Sequence, residues 1–319
     1  MKSTLRIFDV SQYIAAGRES VVCNIGVIES SKNYAAKDMV VGGISLLLKV
    51  VKQFHNDYTD LVFCFDSTPT IKRDMHSKLF PDLGGYKGKR TPAASYIRYE
   101  RMLAYDVLSH MGFNCFKADD YEADDLIYSV CKRYHDSYEN IYVHNRDSDL
   151  FFLIDDKVSM TKVHNNGRDI NIDNYSYSIS TQYDLDYNTV LLNKLFSGDV
   201  SDNIPKLPTS KANQIMDFIP KEAYPHLGDL RVFKNMIKLA TNNDVETMSY
   251  VDLYLPFYVD NSHTEIHDVN LDWNLYDYYL YMLSDTKMFY VPEENLVAKQ
   301  IIIDVIEEYV SEVIIYGFT

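Results

Sequence analysis

Cysteine is scarce in this chain. Its 319 residues include four cysteines, at positions 23, 64, 115 and 131, and no two make a CxxC pair. That argues against a disulfide framework and a cysteine-built zinc site, and favours reduced thiols in a cytoplasmic protein. No apolar run reaches the length needed to span a bilayer, so no membrane partner is expected. The opening MKSTLRIFDVSQY lacks the apolar core and small-residue cleavage site of a signal peptide. There is no GxxxxGK[ST] loop, so ATP is not implied. No Ser/His/Asp or Cys/His grouping assembles, and neither an internal repeat nor a low-complexity linker is present. Positive charge is also short: 31 Lys and Arg against 46 Asp and Glu leave a net charge of -15. By itself that counts against a nucleic-acid partner.

The charge is unevenly spread. Beyond residue 220, six Lys or Arg face seventeen Asp or Glu. Residues 71–101 instead hold eight basic side chains (Lys72, Arg73, Lys78, Lys87, Lys89, Arg90, Arg98 and Arg101) against Asp74, Asp82 and Glu100. A local basic stretch can face phosphate while the acidic tail region turns elsewhere.

Apolar strand-like runs alternate with helical spacing over the first two-thirds of the chain. Strands are predicted at 5–10, 61–65, 113–118, 140–145 and 157–163, and helices at 36–55, 93–112 and 122–135. After about residue 188 the pattern is helical, with helices near 188–198, 210–219, 229–241 and 298–314 and a tyrosine-rich segment at 273–283. Such alternation predicts an α/β fold with a parallel sheet, whose site lies at the carboxyl ends of the strands. Carboxylates fall there: Asp9, Asp66, Asp147 and Asp149 each follow an apolar run.

YEADD (121–125) opens a helix with Glu122, Asp124 and Asp125, and GDVSDN (198–203) carries Asp199 and Asp202. Taken singly these are ordinary features: acids at a helix start, a capped turn and an Asx turn. Together they form a carboxylate set that is costly to bury without a cation. Magnesium and manganese favour all-oxygen sites, and a pair of such ions suits phosphodiester hydrolysis.

In order and spacing, FDV with Asp9, FCFDS with Asp66, YKGKR (86–90), YEADD, RDSDL (146–150) and GDVSDNIP (198–205) resemble the 5′-nuclease family. That family comprises bacteriophage 5′→3′ exonucleases, the nuclease domain of bacterial DNA polymerase I, and flap endonucleases. The resemblance spans about residues 5–215. It implies a PIN-like nuclease core over residues 1–187 with a helical arch at about 70–100. A helical C-terminal domain, 188–319, would begin with GDVSDNIP at the head of a helix-three-turn-helix-like DNA-binding motif. It further implies two divalent ions, Mg²⁺ or Mn²⁺. Asp9, Asp66, Glu122 and Asp124 would surround the first, and Asp125, Asp147, Asp149, Asp199 and Asp202 the second. Lys87 and Arg90 would stabilise charge on the scissile phosphate, Lys89 would add to the basic contact, and Tyr86 would stack on a base.

The implied substrate is DNA with 5′ ends, flaps or nicks, with RNA–DNA hybrids a close variant, in replication or repair. The acidic C-terminal region would be free to recruit replication proteins. Length, a single nuclease module and composition suggest a phage source, and so the host cytoplasm. Two departures stand out. The family's glycine-rich IPGVPGIGxKTA is IPKLPTSKANQI here, where Lys206, Ser210 and Lys211 would substitute for the glycines by direct phosphate contacts. Asp9 is followed by Val-Ser-Gln rather than by a glycine and an asparagine or serine. The competing readings are a PIN-type ribonuclease, which usually lacks the arch and GDxSDNIP, and a non-catalytic DNA-binding relative, which would lose acidic positions.

Overall fold

The computed structural model describes residues 2–16, 36–90, 95–145, 147–163, 169–172, 189–219 and 230–269. The expected helix at 298–314 and the tyrosine-rich segment lie outside them.

Six strands form one sheet: β1 (Thr4–Asp9), β2 (Thr59–Cys64), β3 (Asn114–Phe116), β4 (Asn140–His144), β5 (Val158–Val163) and β6 (Asp169–Ile172). Their order is β3-β2-β1-β4-β5-β6. Every pairing is parallel except that of β5 with β6. Between them run α1 (residues 10–16), α2 (Ala36–Phe54), α3 (Thr70–Leu79), α4 (Ser95–His110) and α5 (Ala123–Tyr134). Then follow α6 (Thr189–Ser197), α7 (Thr209–Phe218), α8 (Leu230–Ala240) and α9 (Val245–Tyr254).

A parallel sheet needs cover on both faces, and its central strands carry apolar residues toward both. Phe8, Leu61 and Phe63 point to one face, where Ile44, Leu47 and Leu48 of α2 meet Ala104, Val107 and Leu108 of α4. Leu5, Ile7, Val62, Ile141 and Val143 point to the other, where Leu126, Ile127 and Val130 of α5 cover them. The buried residues of α6 to α9, among them Leu192, Ile215, Phe233 and Val251, join this second cluster. Helices α6 to α9 therefore share a continuous core with the sheet.

Helical spacing alone does not predict α3, which falls within the implied helical arch at about 70–100. Its sequence TIKRDMHSKL is polar, and its buried residues are Lys72 and His76. It holds because its charged and ring side chains find partners. Lys72 reaches two carboxylates, and His76 Nε2 lies 2.8 Å from the Asn203 carbonyl. Among the described residues, no helix is long and apolar enough to cross a membrane.

Candidate active site

The register puts the carboxyl ends of three central strands side by side: Asp9 is level with Cys64, and Phe8 with His144. Asp9 ends β1, Asp66 lies two residues past β2, and Asn145 and Asp147 follow β4. The first turn of α5 adds Glu122 and Asp124 from above. Its end is fixed by a reciprocal cap: the Glu122 N–H donates to Asp125 Oδ2 at 2.9 Å, and the Glu122 side chain accepts from the helix's own amide.

The oxygens of this cluster are crowded. Asp9 accepts from the Gln12 amide and from Asn145 Nδ2, both at 3.3 Å, and Asn145 Nδ2 also donates to Asp124 Oδ1 at 3.0 Å. Asp66 accepts from Ser11 Oγ at 2.7 Å and from the Ala123 amide at 3.1 Å, with Arg101 3.6 Å away. Burial and the Asp66 charge push the Asp9 carboxyl up to about 8. Burial, then the charges of Asp147, Asp9 and Asp149, raise Asp124 well above the usual carboxylate range. Asp149 is pushed up to about 7 by burial and Asp147, against the pull of Lys194.

Basic side chains close the cluster from the other side. Lys72 Nζ lies 3.1 Å from Glu122 Oε2 and 3.6 Å from Asp125 Oδ1. Lys87 is ion-paired with Glu122, and Arg90 with Asp202. Burial alone would raise Glu122, but Lys72 and Lys87 hold it down at about 2. The YKGKR segment is anchored to the acidic turn: the Lys87 amide donates to the Asp202 carbonyl at 2.9 Å, and Arg90 Nε to that of Ser201 at 3.0 Å. Asn203 Nδ2 donates to the carbonyls of Leu83 and Gly85. Gly88 permits the tight fold of this segment, since a Cβ there would strike the Gly84 carbonyl.

The acidic turn is itself closed by two backbone bonds of 2.8 Å between Asp199 and Ile204. Asp199 Oδ1 accepts from Ser201 N at 2.8 Å, Ser201 Oγ at 2.6 Å and Asp202 N at 3.1 Å, and Oδ2 faces Lys194 at 3.2 Å. Gly198 starts this turn at φ +78°, and a Cβ there would sit 2.6 Å from the Lys206 nitrogen. Gly198→Ala should therefore cost about 1–3 kcal/mol, read as a lowered midpoint in urea unfolding.

One cavity is lined by Tyr86, Lys87, Arg90, Glu122, Asp124, Asp147, Asp149, Asp199 and Asp202, all singled out from the sequence. Asp9 and Asp66 adjoin it, tied in through Asn145 and the Ala123 amide. Lys89, Lys206 and Ser210 are exposed on the surface, and Lys211 pairs with Asp244 at 2.5 Å.

Two expectations are corrected by burial. Tyr86 does not present its ring for stacking: it is 5% exposed, and its hydroxyl lies 3.0 Å from Glu122 Oε2 and 2.8 Å from Asp202 Oδ2. Asp125 does not face the cavity: it is 1% exposed, and its oxygens accept from the Glu122 amide and, at 2.7 Å, the Phe257 amide.

Sequence reasoning missed Lys72, Lys194 and Asn145. Lys72 lay in the counted basic stretch, Lys194 in the last turn of α6 five residues before Asp199, and Asn145 just ahead of RDSDL. Lys194 is ion-paired with Asp149 as well as Asp199. A separate group of ligand-type side chains, His135, Asp155 and Asp156, sits at the opposite end of the sheet. There Asp155 caps the start of β5 through the amides of Lys157 and Val158 and pairs with His135 at 2.8 Å.

Residues 27–180 match the family described as 5'-3' exonuclease, N-terminal resolvase-like domain. That span takes in Asp66 to Asp149 and stops short of Asp9, Asp199 and Asp202. A 5'-3' exonuclease of Mycoplasma pneumoniae is 28% identical over 147 residues, which is 45% of this chain and 47% of that protein. A 5'-3' exonuclease of Buchnera aphidicola is 24% identical over 171 residues, 52% of this chain and 56% of that one. These matches take in about half the length of each relative. The T5 D15 protein, co-crystallised with metal ions, has the same fold, with a TM-score of 0.50 at 15% identity over 89% of this chain and 100% of that one.

Proposed function

We propose that this chain, whose residues 27–180 match the 5'-3' exonuclease family, is a metal-dependent 5′→3′ exonuclease and 5′-flap endonuclease that hydrolyses DNA phosphodiesters. The observation that carries this is the carboxylate cluster at the ends of β1, β2 and β4 with basic side chains facing it. The donor set fits a divalent ion. It consists of carboxylate oxygens, and their crowding and burial push Asp9 up to about 8 and Asp149 up to about 7 and raise Asp124 well above the usual carboxylate range. A bound cation relieves that repulsion.

Asp9, Asp66, Glu122 and Asp124 would hold one ion, and Asp147, Asp149, Asp199 and Asp202 a second. Asp125 is left out, because its oxygens serve the helix cap and the Phe257 amide. When bound, such ions supply water activation and charge neutralisation at the scissile phosphate. The protein's own part is positioning. Lys87 and Arg90 stand at the cavity wall on Glu122 and Asp202, from which they can exchange a carboxylate for a phosphate oxygen. Both side chains are partly exposed, so the exchange needs only rotamer changes. Tyr86 keeps Glu122 and Asp202 in register rather than touching a base. Lys89, Lys206 and Ser210 offer exposed contacts for the flanking duplex, and Lys211 must leave Asp244 to join them. Products would carry 5′-phosphate and 3′-hydroxyl ends.

The test is a labelled set comprising a 5′-flap, a nicked duplex, a blunt duplex, a single strand and an RNA–DNA hybrid, each incubated with protein and Mg²⁺. Cutting near the flap junction, or stepwise loss from 5′ ends, is expected on the DNA substrates. Cutting of the hybrid alone would replace DNA by an RNA strand as substrate. Binding of all five without cutting would indicate a non-catalytic relative.

A further inference from the structure

Asn145 is 1% exposed and follows directly on β4. Its amide nitrogen carries two hydrogens, and both are used: one toward Asp9 Oδ2 at 3.3 Å and one toward Asp124 Oδ1 at 3.0 Å. Its oxygen accepts from the Asp147 amide at 2.5 Å and from Gln12 Nε2 at 3.3 Å. An asparagine side chain has two donor hydrogens and two acceptor sites, so its capacity is filled. Three of the four partners are residues placed above in the metal centre. Gln12 also donates its backbone N–H to Asp9 Oδ1 at 3.3 Å, so each Asp9 oxygen is held from a different side.

The Asn145 backbone is fixed from below. Its amide donates to the Thr161 carbonyl at 3.0 Å. The preceding His144 is fully buried, with its ring stacked 4.1 Å from that of Phe8. His144 Nδ1 lies 2.8 Å from Tyr13 Oη and 2.6 Å from Thr161 Oγ1, and its Nε2 lies 3.1 Å from Arg6.

We infer that Asn145 is the positioning residue of the metal centre, setting the spacing of Asp9 and Asp124 and tying both to the Asp147 turn, with Gln12 as its brace. The inference rests on the metal-dependent reading above and adds to it a residue that touches neither ion nor DNA. The chemistry of the side chain is what suits it. Two buried carboxylates side by side repel, and a neutral group with two hydrogens holds both without adding charge. A lysine in that place would neutralise them and compete with the cation. A serine or threonine has one hydrogen and could hold only one carboxylate.

The experiment measures Mn²⁺ binding to DNA-free protein by calorimetry, for the parent, Asn145→Ala and Gln12→Leu. Affinity for a 5′-flap DNA in EDTA is measured in parallel. Asn145→Ala should weaken Mn²⁺ binding about 10- to 100-fold and leave DNA affinity in EDTA unchanged. Gln12→Leu should shift Mn²⁺ binding in the same direction by less. Unchanged Mn²⁺ affinity in Asn145→Ala, or equal loss of metal and DNA binding, overturns the role. Should Asn145→Ala fail to fold, Gln12→Leu decides, and an unshifted Mn²⁺ affinity there overturns it. A parent that binds no Mn²⁺ defeats the metal reading itself, an outcome distinct from a parent that binds and a variant that is unaltered.

Discussion

Asp124→Asn should melt at a higher temperature than the parent in EDTA and should lose cleavage in Mg²⁺. Both effects come from one cause. Asp124 is raised well above the usual carboxylate range by burial and by the charges of Asp147, Asp9 and Asp149. An acid whose folded pKa is raised makes the fold bind more protons than the unfolded chain. Stability therefore falls as pH climbs from the unfolded value toward the folded one. For Asp149, pushed up to about 7, and Asp9, pushed up to about 8, that window runs from roughly pH 4 to pH 8. Glu122 works in the opposite sense, but its pairing is lost only as pH falls from about 4 toward 2.

Metal-free protein should thus lose thermal stability from pH 5 to 8, saturating Mn²⁺ should flatten that decline, and the asparagine variant should show a shallower slope. Each kcal/mol of relieved repulsion should raise the melting temperature by about 2–4 °C. Cleavage should fall by more than the about 10- to 100-fold typical of losing a ligand's supporting partner. Thermal scans across pH with EDTA or Mn²⁺, beside a flap-cleavage assay, check both halves. A variant that melts lower in EDTA, or that cleaves like the parent, contradicts this reading.

The second large effect concerns Lys72. It is 6% exposed and lies between Glu122 and Asp125. Burial alone would lower its pKa, yet Asp125 and Glu122 together raise it, so the ammonium stays charged inside the protein. Lys72→Met keeps most of the volume and removes the charge. Glu122 would retain Lys87 and the Tyr86 hydroxyl, but Asp125 would keep only its two backbone amides. Leaving a buried charge without its partner costs roughly 3–5 kcal/mol, read as a loss of unfolding free energy in urea. Adding Asp125→Asn should recover part of that loss, because the stranded charge is then gone. A single variant as stable as the parent, or a double variant weaker than additivity gives, would refute the pairing.

The placement of these groups was only partly legible in the chain. Strand-end aspartates could be found because a parallel sheet buries whole apolar runs and the next polar residue marks the end, as at Asp9, Asp66 and Asp147. The helices α2, α4 and α5 were found because each carries an apolar stripe over the sheet. By contrast, α3 buries a lysine and a histidine, and α9 buries Thr247, Tyr250, Val251, Leu253 and Tyr254 without a clean helical period.

Adjacent acids posed a different difficulty. Asp124 and Asp125 are neighbours on one helix turn and so point in different directions. Only the cap and the Phe257 amide, 132 residues further on, decide which faces the cavity. Tyr86 was misread for a similar reason. A tyrosine in a glycine-rich basic segment suggests an exposed ring, and nothing local announces that Glu122 and Asp202 will meet its hydroxyl. Asn145 and Lys194 act through partners on other elements, so spacing alone gave no sign of them.

The measurement that bears most directly on the central claim is the rate of 5′-flap cleavage by the parent and by Asp147→Ala, each in Mg²⁺ and in EDTA, with flap binding followed in parallel. The account predicts cleavage by the parent in Mg²⁺ only, none by Asp147→Ala, and binding by both. Cleavage that persists in EDTA or in Asp147→Ala would show that the strand-end carboxylates are not the reaction centre.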